Sequence, residues 1–579
     1  MCDFRALVAE SRFLTLGGIQ DLLSSLIEIV RASNKTSTKP AGRDGRSEEK
    51  VGERMQFSNS DSSYFGAISP ASEAFAEVLI CEITLKNRDR IGMIWESLER
   101  HYNERLACDT EESSETDEAS GKQDSKLVSP GIEKCVTGLI RLSCWMVNRE
   151  GINNQVLGSI KLLHPPHGLS SCFGLEMHLS EGLWRICQYV DGLKMLNDEG
   201  WGGLLGLVEF CASRGGAVVR AGPGRGGLAE DDPALHAFRA LHLILHSPEL
   251  KNSVPCSVVQ SIRALIVVGE RGRCAKLCIA GLDLLLIMHS RLGKPVTIAS
   301  GEIISTDENG LWVSVWPSVL EGMAEASKKS IFGGVRQHAL SMLTDAIIDR
   351  HGGAIPTEQL FAVVHNSCIS VAGIRISALL KSDNIEGQWE EVMIELKLCI
   401  SLVFKPFLHH LKILIQIEDK FATLWESMLN VMEQLLGDET SVTDFQDSPK
   451  QKVSAHMNRD MLLMTTKELG SEHLRNAVMV LMTYGVLESE ASPSSKSSDL
   501  SALTWTTIGS MGYCRNSIAE WKQSGHNVRG NNKGDIDSSK EEKGRHTLSD
   551  TSNEDASVVD NLASDVPEVR ENACEEVKS

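Results

Sequence analysis

Aromatic residues are scarce in this 579-residue sequence: Phe, Trp and Tyr together make up 5% of it. Strands favour aromatic and β-branched side chains, while abundant Leu and Ala suit packed helices, so an all-β fold is not expected. No CxxC pair occurs among the 15 cysteines, which removes zinc ribbons and thioredoxin-type dithiols. Most of them, Cys81, Cys144, Cys187, Cys211 and Cys399 included, sit in apolar periodic segments and read as reduced core thiols. Cys274 and Cys278, four apart on one helix face, read the same way. The amino terminus lacks a basic segment followed by an uninterrupted apolar core, so neither a signal nor a transit peptide is expected. Together with the odd cysteine count this favours a reducing compartment. Long apolar runs are missing as well. The best, at 275–288, is broken by Lys276 and Asp283, short of the eighteen or so residues that span a bilayer, so a soluble chain is expected. There is no basic excess either: 58 Lys+Arg stand against 78 Asp+Glu, a net charge of −20. That argues against a nucleic-acid reader that works by neutralising phosphates.

Catalytic motifs are absent in the same way. Neither a G-x-S-x-G elbow nor a G-x-x-x-x-G-K-[ST] phosphate loop occurs. Gly222, Gly224 and Gly227 satisfy G-x-G-x-x-G formally, but LAEDDP separates them from the next helix and puts acidic residues where a phosphate would sit, so the segment reads as a loop. His242 and His246 have the spacing of two metal ligands on one helix face, yet no carboxylate lies between them and they read as histidines at the edge of a core. His409 and His410 are adjacent and point to different faces. Carboxylate pairs read as solubilising charge on linkers and solvated helix faces. Trp201, Trp312, Trp316, Trp389 and Trp425 read as packing anchors. No residue is therefore assigned a catalytic, cofactor-binding or metal-ligating role, and no cofactor is expected.

What the sequence does contain is a succession of apolar blocks with helical spacing. Over 87–102 Asn87 can cap, Asp89 lies in the first turn, and Ile91, Ile94, Trp95, Leu98 and Tyr102 share one face. Val136, Leu139, Ile140, Met146 and Val147 form the next block, and Ile152, Val156, Leu157, Ile160 and Leu163 the one after, ended by Pro165 and Pro166. Asp232 followed by Pro233 is a helix start. Further helices are expected at about 253–268, 274–292, 311–326, 333–350, 357–366, 389–416, 420–436 and 471–487, with short strand candidates at Ala217–Arg220 and Val296–Ile298. In the 335–348 block Val335, Ala339, Leu340, Leu343 and Ile347 face inward, and Arg336 is placed to bond a neighbouring turn. The fold class that follows is all-α, an irregular α-solenoid of HEAT- or armadillo-like helix pairs without a strict period.

The expected division is a helical segment at 1–33, a disordered linker at 34–72, a helical repeat at 73–107, an acidic linker at 108–130, helical repeats at 131–300 and 301–437, a linker at 438–452, a helical stretch at 453–490, a weakly structured stretch at 491–522 and a disordered acidic tail at 523–579. Ser113, Ser114 and Ser125 lie in acidic sequence suited to acidophilic kinases. Residues 531–579 hold 13 acidic against 6 basic groups, and 108–126 hold 7 against 2. More than half of the net charge thus sits in segments that do not fold by themselves, and the folded part is only mildly acidic.

Several blocks together resemble one family. ITLKNRDRIGMIWESLERHYN (83–103) is similar to the "NRDR…W" signature that follows the catalytic domain in the large Golgi-type guanine nucleotide exchange factors for ARF GTPases, the family of plant GNOM and the Golgi brefeldin A resistance factor. The resemblance continues in order through GIQDLLSSLIEI (18–29), residues 136–163, EGWGGLLGLVEF (199–210), the Trp312–Trp316 segment with VRQHALSMLTDAII, FATLWESMLNVMEQLL (421–436) and SEHLRNAVMVL (471–481). It implies a downstream α-solenoid, tetratricopeptide-like or HEAT-like, with a regulatory or scaffolding role in vesicle traffic. The implied location is cytoplasmic and peripheral on Golgi and early secretory membranes, and the implied partner is an ARF GTPase engaged through a separate exchange domain. That domain's glutamate loop carries F-R-x-P-G-E, and no Pro-Gly-Glu occurs in this sequence, so no catalytic residue carries over. The sequence reads as a fragment or as a free-standing paralogue of the downstream region. The alternative is a HEAT-type adaptor or transport scaffold unrelated to ARF exchange.

Overall fold

The computed structural model describes residues 4–37, 69–107, 130–163, 173–214, 232–250, 253–272, 274–291, 296–297, 303–304, 311–349, 357–381, 389–437, 453–488 and 496–531. They form two compact units, Met1–Val371 and Ala372–Ser579. The G-x-G-x-x-G segment, the Ala217–Arg220 strand candidate and the three linker serines lie outside the described residues, as do most of the expected linkers.

In the first unit the helices fall into two rows. One row runs Pro70–Lys86, Pro130–Met146, Phe173–Cys187, Pro233–His246, Ala275–Arg291 and Gly333–Ile348, each packed on the next. The other runs Ile91–Ala107, Asn153–Gly158 with its 3-10 extension Ser159–Leu163, Asp198–Arg214, Val258–Arg271 and Leu311–Lys329, again each on the next. This is the layering of an α-solenoid, in which every helix buries one stripe against its pair and another against the neighbouring pairs. First-row helices begin at 70, 130, 173, 233, 275 and 333, so successive spacings are 60, 43, 60, 42 and 58 residues. Insertions between elements hide the period that the sequence does not show. One of them carries a two-residue antiparallel ladder, Val296 opposite Ile304 and Thr297 opposite Ile303.

The apolar faces read from the sequence are the buried ones. Ile91, Ile94, Trp95, Leu98 and Tyr102 are buried, as are Val335, Ala339, Leu340, Leu343 and Ile347, and Arg336 donates to Ser330 O at 3.0 Å. Each large apolar side chain so buried contributes about 1.5–3 kcal/mol. Asp232 caps its helix as expected, accepting from the Ala234 N–H at 2.8 Å with Pro233 in the first turn. Asn87 differs. It ends the Pro70–Lys86 helix, its N–H bonding Ile83 O and Thr84 O, and the next helix begins only at Ile91 after a 3-10 turn.

The second unit repeats the two-row arrangement in shorter form. Trp389–His409 packs on Val453–Thr483, which packs on Ile518–Asn531, while Glu418–Leu436 packs on Lys496–Ser510. The stretch at 491–522, expected to be weakly structured, is therefore largely helical. Its Ser- and Thr-rich sequence has little intrinsic helix preference, but packing overrides this: Thr504 and Ser501 are fully buried, and Trp425 Nε1 donates to Thr504 Oγ1 at 2.9 Å. The expected helix at 389–416 breaks at His410 and resumes as Leu411–Leu414. The 357–366 helix instead continues through a π-helical turn, Val364–Ile369, to Leu380. At 24 residues it is the one described helix long and apolar enough to cross a membrane, and half of the qualifying stretch is buried within the protein, as in a core helix.

Candidate functional site: the Asn87–Arg90 corner

The first block of the family-like signature folds into the corner between Pro70–Lys86 and Ile91–Ala107. The Asn87 amide donates to Ile83 O at 2.8 Å and to Ser11 Oγ at 3.0 Å, and its oxygen accepts from Arg90 Nη2 at 2.7 Å. Arg90 also donates to the amino-terminal turn, from Nη1 to Leu14 O at 2.7 Å and from Nη2 to Arg12 O at 2.6 Å. Asp89 accepts from Arg149 Nη2 at 2.7 Å while Arg149 Nη1 donates to Arg88 O at 3.2 Å, and the Arg88 guanidinium lies 5.5 Å from the Trp145 ring centre. The hydrogen bond from Arg149 holds the exposed Asp89 carboxyl below the usual carboxylate range. These four residues thus tie the amino-terminal turn, their own helix pair and the end of the Pro130–Met146 helix into one joint.

A second joint follows the same logic. Gly151 turns the chain at φ +87°, a conformation that costs other residues strain. Asn154 then reaches across, accepting from Asn197 N at 2.8 Å and donating to Met195 O at 3.3 Å. The EGWGG block lets the Asp198–Arg214 helix approach so closely that a Cβ on Gly203 would overlap the Leu157 carbonyl. Asn87, Asp89, Arg90, Asn154 and Gly203, all within blocks of the sequence resemblance, thus join one helix pair to the next.

Behind the corner lies a buried polar cluster that the sequence reading missed. In an antiparallel hairpin turning near residue 89, Glu73 faces Arg105 and Glu77 faces His101, and the structure pairs them so. Glu73 bonds Arg105, Glu77 Oε2 lies 3.1 Å from His101 Nε2, and Arg105 Nε lies 3.6 Å from Glu77 Oε1. All four are buried. Gly131 makes the room, because a Cβ there would press into the Glu73 carboxylate and within 2.9 Å of Arg105 Nη2. Cys135, one turn on, points its thiol toward the same place, and desolvation pushes that thiol well above its ordinary range. The expectation that carboxylate pairs lie on linkers and solvated faces fails for Glu73 and Glu77. The visible signal was E-x-x-x-E and H-x-x-x-R at mirrored distances from the corner.

The other singled-out residues behave as packing groups. His242 and His246 stack with ring centres 3.8 Å apart, His246 Nδ1 lies 3.0 Å from His242 O, and desolvation, with His246 adding to it, lowers the His242 pKa. His410 is buried and His409 exposed, on different faces. Cys278 contacts Ile266 O at 3.6 Å and its thiol is held protonated by burial. Trp201, Trp316 and Trp425 are buried and Trp389 is half-buried; the side chain of Trp312 lies outside the described ones. Nothing among these groups pairs a nucleophile with a base.

Comparison with known proteins matches residues 316–512 to a family described as "GBF1-like, tetratrico peptide repeat region". The match begins in the Leu311–Lys329 helix and ends just beyond Lys496–Ser510. The ARF guanine-nucleotide exchange factor GNL1 of Arabidopsis thaliana is 22% identical over 509 residues, covering 84% of this chain. The chain resembles a non-catalytic region of the Golgi-type ARF exchange factors. It spans 28% of the length of GNL1, and no solved structure matches. The family match at 316–512 covers residues of both units.

Proposed function

We propose that this chain is a regulatory or scaffolding helical-repeat region of a Golgi-type ARF guanine nucleotide exchange factor, acting in vesicle traffic of the early secretory pathway. The observation that carries this reading is collinear likeness to GNL1 over 84% of the chain, on a fold made of stacked helix pairs. Exchange on ARF needs a carboxylate loop that displaces the nucleotide's magnesium and phosphate, and the sequence has no Pro-Gly-Glu to build one. Its contribution is then mechanical: a joined array that positions an exchange domain and presents surfaces to other proteins. The ARF GTPase is reached through that exchange domain. Attachment to Golgi membranes is part of the proposal, but not through the apolar face of Leu16–Ser37. Ile19, Leu23, Leu26, Ile27 and Val30 of that helix are already buried against the protein.

Nucleotide release from ARF in the presence of the purified chain tests the catalytic half of the proposal. Release at the spontaneous rate is expected, and clear stimulation would sink it. Sedimentation with anionic liposomes tests the membrane half, which fails if the chain stays in solution.

A further inference from the structure

We propose that Glu77, His101 and Cys135 hold a zinc ion inside the first helix pairs. Three helices bring the groups together: Glu77 from Pro70–Lys86, His101 from Ile91–Ala107 and Cys135 from Pro130–Met146. One carboxylate oxygen, one imidazole nitrogen and the thiol sulfur all lie within 4.8 Å of one another, and every one of the three residues is buried. Tetrahedral zinc with ligands at about 2.0–2.3 Å sets neighbouring ligand atoms roughly 3.3–3.7 Å apart. Glu77 Oε2 and His101 Nε2 are already 3.1 Å apart, so small side-chain shifts bring the sulfur into place. Nitrogen, sulfur and carboxylate oxygen form the donor set that zinc prefers, filling three of its four positions.

The surroundings suit an ion: Glu73, Glu77, His101 and Arg105 are all buried, so the carboxylate and imidazole donors are held away from water. Glu77 is suited to the bridging role, since Oε1 faces Arg105 while Oε2 faces His101. A cation held behind a ligating carboxylate is an orienting second layer. Binding replaces S–H by S–Zn and releases one proton to solvent. No local spacing announces the ligands, which stand 24 and 34 residues apart in sequence.

The test uses the full chain without a histidine tag, passed over a chelating resin. About one zinc per chain should remain, with X-ray absorption showing one sulfur near 2.3 Å and nitrogen or oxygen ligands near 2.0–2.2 Å. Cobalt loading should give a thiolate-to-cobalt charge-transfer band, lost in Cys135→Ala and kept in Cys187→Ala. The absence of both zinc and the cobalt band in folded protein overturns the proposal, as does a zinc shell without sulfur. Retention of the ion by both Cys135→Ala and His101→Gln does the same. If these variants do not fold, the ligand shell of the unaltered chain decides.

Discussion

A single residue, Asn87, shows how a motif can look like one thing and be another. Its type and place before a helical block suit an N-cap, yet it closes the preceding helix and anchors Arg90 and Ser11. What decides between the two readings is long-range: Ser11, Leu14 and Arg149 stand tens of residues away and no local pattern reveals them. Asn87→Ala leaves buried partners unsatisfied and should cost about 1–3 kcal/mol. Thermal unfolding should show a drop of several degrees, whereas an N-cap lost at an exposed helix start would cost about 1 kcal/mol. The thiols make a second residue-scale prediction. Burial pushes Cys81 up to about 12 and Cys144 up to about 11. At pH 8 their thiolate fractions are therefore on the order of a thousandth or less, and alkylation of the native chain at these positions should be slow. An unfolded thiol ionises near 8.5, so above that pH the unfolded state holds fewer protons and stability falls as pH rises toward the folded values. Equal labelling of native and urea-unfolded chain at Cys81 would contradict the burial.

At the scale of elements, the helices were legible because apolar periodicity survives any context. Ile91 to Tyr102 and Val335 to Ile347 lie on the faces read from their spacing. Ends and interruptions were less legible. VHNSCIS reads as a helix end, but burial of Val364, Cys368 and Ile369 carries the chain on through a π turn. Glycines divide the same way. Gly203→Ala should destabilise by roughly 1–3 kcal/mol, because the added methyl would overlap the Leu157 backbone carbonyl. Gly92→Ala meets nothing within 4 Å and should stabilise by up to about 1 kcal/mol through helix propensity. Opposite signs in denaturant melts would bear out the close approach of the two helices, and equal effects would refute it.

For the whole molecule, the all-α repeat class was legible and the two-row layering was not, since insertions vary the spacing between 42 and 60 residues. The buried Glu73–Arg105 and Glu77–His101 pairs were hidden for a related reason. Charged residues usually mark a solvated face, and only the hairpin register turns these inward. The joints at Asn87–Arg90 and Asn154 hydrogen-bond neighbouring helix pairs of the first unit to one another. The role proposed for this helical array is to act on catalysis done elsewhere. The most direct measurement is nucleotide release from ARF on liposomes by a Golgi-type exchange domain, alone and fused to this chain, with the chain alone beside them. The account predicts that the fusion changes the domain's rate or its membrane-bound fraction several-fold while the chain alone leaves ARF at its spontaneous rate. A fusion indistinguishable from the isolated domain, or release driven by the chain alone, would contradict it.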